Sequence, residues 1–350
     1  MAGKSGGRLL YADLLRVVAT VAVIMIHISG GWISEAAVGS AAWNTLNLYD
    51  GLTHWAVPAF IMLSGMFLLD PKREVNLHSL LFRQALRLVV ALVVWSAVYA
   101  LFGAFLNTGS VTLNDLIDGL KALVWGNLHY HLWFLPMMIG LYLVTPILRA
   151  FVRGATQKEL NWYFFLAFVF AMVLPTVLAL RPSQTVSSWI SQLDIRIVLS
   201  YASYYVLGYC LKTCVLSPVV ELIIYILGAA GAVWTVWGTA WLSQIQGARF
   251  TFYNYNSPNI ALMSAAVFLL FRRLPLRSES GGWISALSSI TFGIYLCHDL
   301  FLMLLRHFGV STLSFFPVLS VPLLTLGVFL CAALVAWPLS KIPLVGRFIT

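Results

Sequence analysis

The chain of 350 residues is 61% hydrophobic and only 9% charged, with a formal net charge of +9. Soluble domains carry about 25% charged residues, so the composition excludes a water-soluble globular protein. The basic balance does not describe a nucleic-acid surface either, because the Lys and Arg residues are scattered between apolar runs.

Taken in order, ten apolar runs are long enough to cross a bilayer, which requires about 20 residues of helix whose backbone satisfies its own hydrogen bonds. They cover 11–30, 52–69, 86–106, 132–151, 162–180, 195–211, 219–242, 258–271, 284–305 and 317–339. The first follows Lys4 and Arg8 in the manner of a signal peptide, but Asp13 and Arg16 interrupt its apolar stretch, so it is expected to remain as a helix. The longest loops are expected at 31–51 and 107–131, and no internal repeat or linker divides the chain. The expected fold class is therefore all-α: a polytopic membrane protein of about ten transmembrane helices, forming a single transmembrane domain over residues 1–350. Fifteen of the 21 Lys and Arg residues fall in segments on one side and five on the other. Lys and Arg collect on the cytoplasmic side, so both termini are expected there.

The four cysteines, Cys210, Cys214, Cys297 and Cys331, lie in or beside apolar runs, which argues against an extracytoplasmic disulfide framework. Cys210 and Cys214 stand at i, i+4 without nearby His or carboxylate partners. His129 and His131 stand at i, i+2 without an adjacent carboxylate or cysteine, so no metal is expected.

Ionisable groups at membrane depth cost at least about 2.5 kcal/mol on insertion scales and need a partner, a wet cavity or a function. The first run carries Asp13, Arg16 and His27. Asp13 and Arg16 can pair at i, i+3. His27 lies eleven residues beyond Arg16, about 16 Å further across and facing the same way after three turns. The ninth run carries His298 and Asp299, and nothing local satisfies them.

These residues fall into five segments. Asp13-Leu14-Leu15-Arg16 is followed after ten residues by His27. The second run reads Val57-Pro58-Ala59-Phe60-Ile61-Met62-Leu63-Ser64-Gly65. Phe82-Arg83-Gln84-Ala85-Leu86-Arg87 opens the third run, and His131-Leu132-Trp133-Phe134-Leu135 opens the fourth. Phe292-Gly293-Ile294-Tyr295-Leu296 precedes His298. In this order, over most of the chain, they resemble the acyltransferase-3 family of membrane acyltransferases. The layout is closest to single-domain bacterial members that O-acetylate surface polysaccharides, the enterobacterial common antigen among them.

The resemblance implies an O-acetyltransferase of the bacterial cytoplasmic (inner) membrane that moves an acyl group, usually acetyl from acetyl-CoA, to a hydroxyl of a glycan or its lipid-linked precursor. It implies that His27 is the catalytic histidine, with Arg16 in the Arg-x10-His motif; His298, a histidine at membrane depth, is a further catalytic candidate. Arg83, Arg87 and Arg16 are the expected acyl-CoA contacts. The chemistry agrees: an imidazole suits a base near neutral pH, and paired guanidinium groups suit phosphate. Substrate contacts are expected from Asp13, His131 and Trp133, and from Tyr253, Asn254 and Tyr255, whose aromatic and amide groups can stack on and hydrogen-bond sugars. Membrane lipids are the remaining partners, nucleic acid is excluded, and a homo-oligomer is left open. The rival readings are a secondary transporter, although no matching halves occur, and a ligand-sensing membrane protein without turnover.

Overall fold

The computed structural model describes residues 9–73, 76–194, 199–276, 282–343 and 346–349. Among these residues no strand occurs. Among the described residues eight helices are long and apolar enough to cross a membrane. They are α1 (Leu10–Gly30), the broken pair α2 (Ala41–Thr53) and α3 (Ala56–Leu68), α4 (Leu80–Thr108), α6 (Phe134–Gly154), α7 (Gln157–Leu180), α10 (Pro218–Gln246), α12 (Gly282–His307) and α13 (Pro317–Lys341). Two other expected spans are shorter. The sixth is α9 (Tyr201–Thr213), of 13 residues, and the eighth is α11 (Pro258–Arg273), of 16. The first part of the sixth, 195–198, lies outside the described residues, as do Lys4, Arg8, Arg196 and Arg277.

Both short helices nonetheless run between the two sides of the bundle. At the start of α9 the Tyr204 hydroxyl donates to the Tyr255 carbonyl at 2.5 Å, and at its end Lys212 meets Asp70 at 2.7 Å. At the start of α11 the Asn259 amide donates to the Phe252 carbonyl at 2.7 Å, and at its end Arg272 donates to the carbonyls of Leu211 and Cys214. These helices are largely buried, so protein meets their ends, and the length that a lipid-facing helix must reach does not bind them.

One side of the bundle collects the basic residues, and there they have structural partners. Arg149 donates to the carbonyls of Leu68 (2.6 Å), Asp70 (3.0 Å) and Arg73 (2.7 Å), closing the C-terminal end of α3, whose last carbonyls lack intrahelical partners. Arg272 does the same for α9, and Arg273 pairs with Glu221 at the start of α10. The basic residues thus tie helix ends together.

The loops expected at 31–51 and 107–131 are largely helical. Ser40 caps α2 by accepting from the Trp43 amide, and Thr112 with Asp115 forms a capping box at α5 (Leu113–Val124). Both signals stand in the sequence, but at the ends of stretches too polar to be read as spans. The third and fifth spans each contain π-helical turns, at Leu80–Ala85 and Ala167–Val173.

The centre of the fold is α1, with 13 buried residues of 21. Its Leu15, Ala19 and Val23 enter one apolar cluster, while Val17, Ile24 and Ile28 enter another. A helix that is apolar nearly all round belongs in the middle of a bundle. Beside it α3 and α9 cross at glycines. A Cβ on Gly65 would lie 1.9 Å from the Tyr205 carbonyl oxygen, and one on Gly208 would lie 2.0 Å from that of Met62. Small residues let helix backbones approach this closely where lipid supplies no hydrophobic drive between helices. Gly65→Ala or Gly208→Ala should therefore separate the pair and destabilise the protein by about 1–3 kcal/mol, as overpacking does. A lowered thermal midpoint in detergent is the expected reading, with Gly140→Ala, which meets nothing within 4 Å, as the harmless control.

Candidate active site

Arg16 and His27 project from α1 into the same interior space, as their spacing of three turns predicts. His27 lines a chamber of about 160 Å³ with Arg16, Phe60, Ser64, His131, Trp133, Tyr255 and Tyr295 among its walls. Towards the basic side the chamber meets a cleft of about 590 Å³ lined by Arg83, Arg87, Gln84 and Ser289. Arg16, Ser64, Leu88, Tyr142, Thr291 and Phe292 line both spaces, so the cleft and the chamber adjoin along a shared wall. On the opposite side a third space of about 490 Å³ is lined by Tyr201, Thr251, Tyr253 and Asn254, and it shares Trp133 and Tyr255 with the chamber. A chain of three spaces thus runs from the basic side past His27 to an aromatic mouth.

The two arginines of the third span share the cleft despite the π-helical turn that carries Arg83. The Arg87 guanidinium lies over the Phe292 ring at 4.7 Å, a cation–π contact that holds it towards the cleft. A guanidinium pair on one wall, with Arg16 at the inner end, can bind the phosphates of an anionic ligand by charge-assisted hydrogen bonds.

Asp13 lies apart from these walls. It is buried and accepts from the hydroxyls of Ser285 (2.9 Å) and Ser288 (2.8 Å) on α12, while Arg16 donates to it at 3.3 Å and to Ser288 at 3.0 Å. The geometry gives it the work of joining α1 to α12 and orienting Arg16, and it lines none of the three spaces.

His298 is fully buried on α12 and stacks on His27 with ring centroids 5.2 Å apart. Its Nδ1 donates to the Tyr295 carbonyl at 2.6 Å. Tyr130 approaches His27 edge-on at 5.0 Å, and His131 lies 6.3 Å from it. The sequence offers no adjacent carboxylate for His129 and His131, but the fold supplies Asp299: His129, His131 and Asp299 each present one ligand atom, all within 4.8 Å of one another. His129 addresses its two neighbours through opposite nitrogens, Nε2 to Asp299 at 3.3 Å and Nδ1 to His131 at 3.1 Å. An imidazole offers a metal one nitrogen at a time, so the arrangement describes a hydrogen-bonded imidazole pair with Asp299 in ion-pair contact better than a three-ligand centre. Burial holds both imidazoles below their ordinary range, against the pull of Asp299 on His129.

Of the mouth residues, Trp133 and Tyr255 stack with centroids 5.7 Å apart, and the Tyr253 hydroxyl donates to the Asn47 side-chain oxygen at 2.6 Å. Asn254 is exposed, its side-chain oxygen accepting from the Asn256 amide. Behind this wall lies a buried pair absent from the sequence reading, Asp50 and His54. Nδ1 of His54 is 2.8 Å from the Asp50 carbonyl and 3.3 Å from its Oδ1, and the His54 ring packs on Tyr253 at 4.3 Å and Tyr255 at 5.5 Å. Their i, i+4 spacing at the edge of an apolar run was the available signal. An expected start at residue 52 leaves Asp50 outside the second span and so separates it from His54.

A family model described as an acyltransferase domain matches residues 9–340. Among curated proteins and among solved structures, none matches the chain.

Asp13→Ala removes the acceptor for two serine hydroxyls and the charge beside Arg16. It should destabilise the protein by about 1–3 kcal/mol, the cost of buried polar groups left unmatched. Thermal unfolding in detergent measures this, and Ser285→Ala alone should cost less because Asp13 then keeps its bond from Ser288.

Proposed function

The chain belongs to the acyltransferase domain family, and from that membership we propose that it carries an acetyl group from cytoplasmic acetyl-CoA to a hydroxyl of a cell-surface glycan or its lipid-linked precursor, with His27 as the general base. The chain is a multi-pass membrane acyltransferase. The observation that carries it is the adjoining pair of spaces, one with Arg83 and Arg87 on its wall and the other with His27, both sharing Arg16.

In this reading the basic side is cytoplasmic and the membrane is the bacterial inner membrane. The phosphates of the donor bind Arg83 and Arg87, and the pantetheine arm passes Arg16 so that the thioester enters the His27 chamber. The chamber is small, about 160 Å³, which favours acetyl over a long acyl chain. The acceptor enters from the aromatic mouth, where Trp133, Tyr253, Asn254 and Tyr255 offer stacking and amide contacts suited to a sugar. His27 takes the proton of the hydroxyl as its oxygen bonds the acyl carbon. Arg16, the cation of the chamber wall, suits the negative charge that develops on the carbonyl oxygen. His27 stands 17 residues along α1 from Leu10, about 25 Å at the helical rise, so a donor arriving from the cytoplasm and an acceptor arriving from outside can meet there.

Purified protein supplied with radiolabelled acetyl-CoA and membrane-derived lipid-linked glycans should transfer label. His27→Gln keeps polarity but no titrating base, and single-turnover transfer should fall by at least about 10²-fold while acetyl-CoA binding persists. Transfer at the wild-type rate by folded His27→Gln protein would make this histidine structural, and absence of transfer by the wild type with every glycan offered would favour a transporter or sensor.

Arg83→Ala with Arg87→Ala should weaken CoA binding, each lost charge-assisted contact costing about 1.5–3 kcal/mol. Calorimetry at low salt reads this directly. An unchanged affinity would leave the two arginines as topology anchors.

A further inference from the structure

The imidazoles around His27 can be assigned hydrogens from their neighbours. The Tyr130 hydroxyl donates to Oδ1 of Asp299 at 2.5 Å, which marks the carboxyl as an acceptor. A carboxylate oxygen can only accept, so the 3.3 Å ion-pair contact of His129 Nε2 with Oδ2, which falls short of a hydrogen bond, favours the hydrogen on that nitrogen. Neutral His129 then has a bare Nδ1, and its 3.1 Å contact with Nδ1 of His131 requires the hydrogen on His131. The nitrogen left bare is His131 Nε2, which is buried and has no hydrogen bond among the described residues. The Leu296 carbonyl, which accepts from the Tyr99 hydroxyl at 2.7 Å, keeps a second lone pair towards His131, so the tautomer of His131 is the point on which the relay turns. His298 reaches the same state by another route: its Nδ1 is engaged with the Tyr295 carbonyl, and its Nε2 is buried without a hydrogen bond. The His131 and His298 rings are 5.0 Å apart.

We propose that Asp299, His129 and His131 form a relay ending on a bare Nε2 of His131 beside His27, and that this relay stabilises the proton which acyl transfer moves from the acceptor hydroxyl to the departing thiolate. The proposal rests on the reading of His27 as the base. In the step, the hydroxyl oxygen bonds the acyl carbon and the carbon–sulfur bond breaks with its electron pair on sulfur. The hydroxyl proton, taken by His27 and shared with the neighbouring imidazoles, ends on sulfur as the free thiol. In the interval the cluster carries one extra positive charge in a space with little water, where an uncompensated charge is costly. Asp299 offsets it through His129, as a carboxylate behind a catalytic imidazole fixes the tautomer and stabilises the imidazolium. Asp299 and His129 are positioning residues in this scheme.

The groups facing the relay are consistent with one carboxylate setting its charge. Tyr99 stacks on His129 at 4.2 Å, and the Tyr295 hydroxyl donates to the His131 carbonyl at 2.5 Å. Both are phenols and neutral at physiological pH, as is Tyr130. His27 and His298 are the remaining imidazoles. Arg306, held over the Trp32 ring at 5.3 Å, is the nearby cation and opposes protonation of His129. Asp299 is the group whose charge favours it.

The test is nuclear magnetic resonance on full-length protein labelled with ¹⁵N-histidine in phosphatidylcholine nanodiscs, with the His131 signals assigned by their loss in His131→Gln. At neutral pH His131 should carry its hydrogen on Nδ1 and show a bare Nε2. In Asp299→Asn that tautomer should give way to a mixture, and the titration midpoint of His129 should fall by at least about one pH unit, because a negative neighbour favours the protonated form. Transfer from acetyl-CoA should fall at least about tenfold with KM for acetyl-CoA unchanged. Should Asp299→Asn not fold, His129→Gln cuts the same chain and should give the same tautomer change. A wild-type His131 with its hydrogen on Nε2 would overturn the relay, as would an unchanged tautomer in both variants. A stoichiometric metal in protein purified without chelator, lost in His129→Gln, would also overturn it in favour of a cation centre. Wild-type transfer by His27→Gln would sink the base assignment instead, and leaves the tautomer result to be read separately.

Discussion

The helix α1 carries three ionisable groups on one stripe through an apolar medium, and the rest of the bundle is arranged to meet them. Hydrocarbon offers no hydrogen bonds, so Asp13, Arg16 and His27 each require partners or a cavity. Asp13 obtains Ser285 and Ser288 from α12, which fixes the register of the two central helices and turns Arg16 inward. His27 then falls opposite His298 on the same partner helix, because both helices run in the same direction from this polar junction. The site is therefore a consequence of how one helix with buried charge is accommodated.

Around that axis the fold separates two chemistries. The basic side uses Arg149 and Arg272 to close helix ends and leaves Arg83 and Arg87 along an open cleft. The opposite side is walled by aromatic rings, with Trp133 and Tyr255 forming the boundary between the mouth and the inner chamber. Charge suits a phosphate-bearing donor, while flat rings suit a sugar. The narrow chamber between them limits water around the histidines, which strengthens electrostatic effects there.

The short helices α9 and α11 show how the bundle makes room for this. Each passes between the two sides without the length of a lipid-facing span, since its ends meet Asp70, Tyr255, Phe252 and the Leu211 carbonyl instead of headgroups. The glycine crossing of α3 with α9 brings their backbones into contact beside the first apolar cluster. Amphipathic segments such as α5 remain outside this core, with Leu113, Val124 and the adjoining Trp125 exposed.

Apolar run length and composition were sufficient to read an all-helical membrane protein, because spanning a bilayer imposes a local requirement that each segment must meet alone. The three-turn spacing of Arg16 and His27 likewise placed both on one face, since helical periodicity is a local property. Hydropathy could not distinguish the buried crossings α9 and α11 from lipid-facing ones, nor recognise α2 and α5 as helices in polar stretches. The pairing of His129 with Asp299, 170 positions apart, and of Asp13 with Ser285 and Ser288 depends on which helices become neighbours. Packing decides that, and packing joins side chains whose separation along the chain carries no signal of their contact.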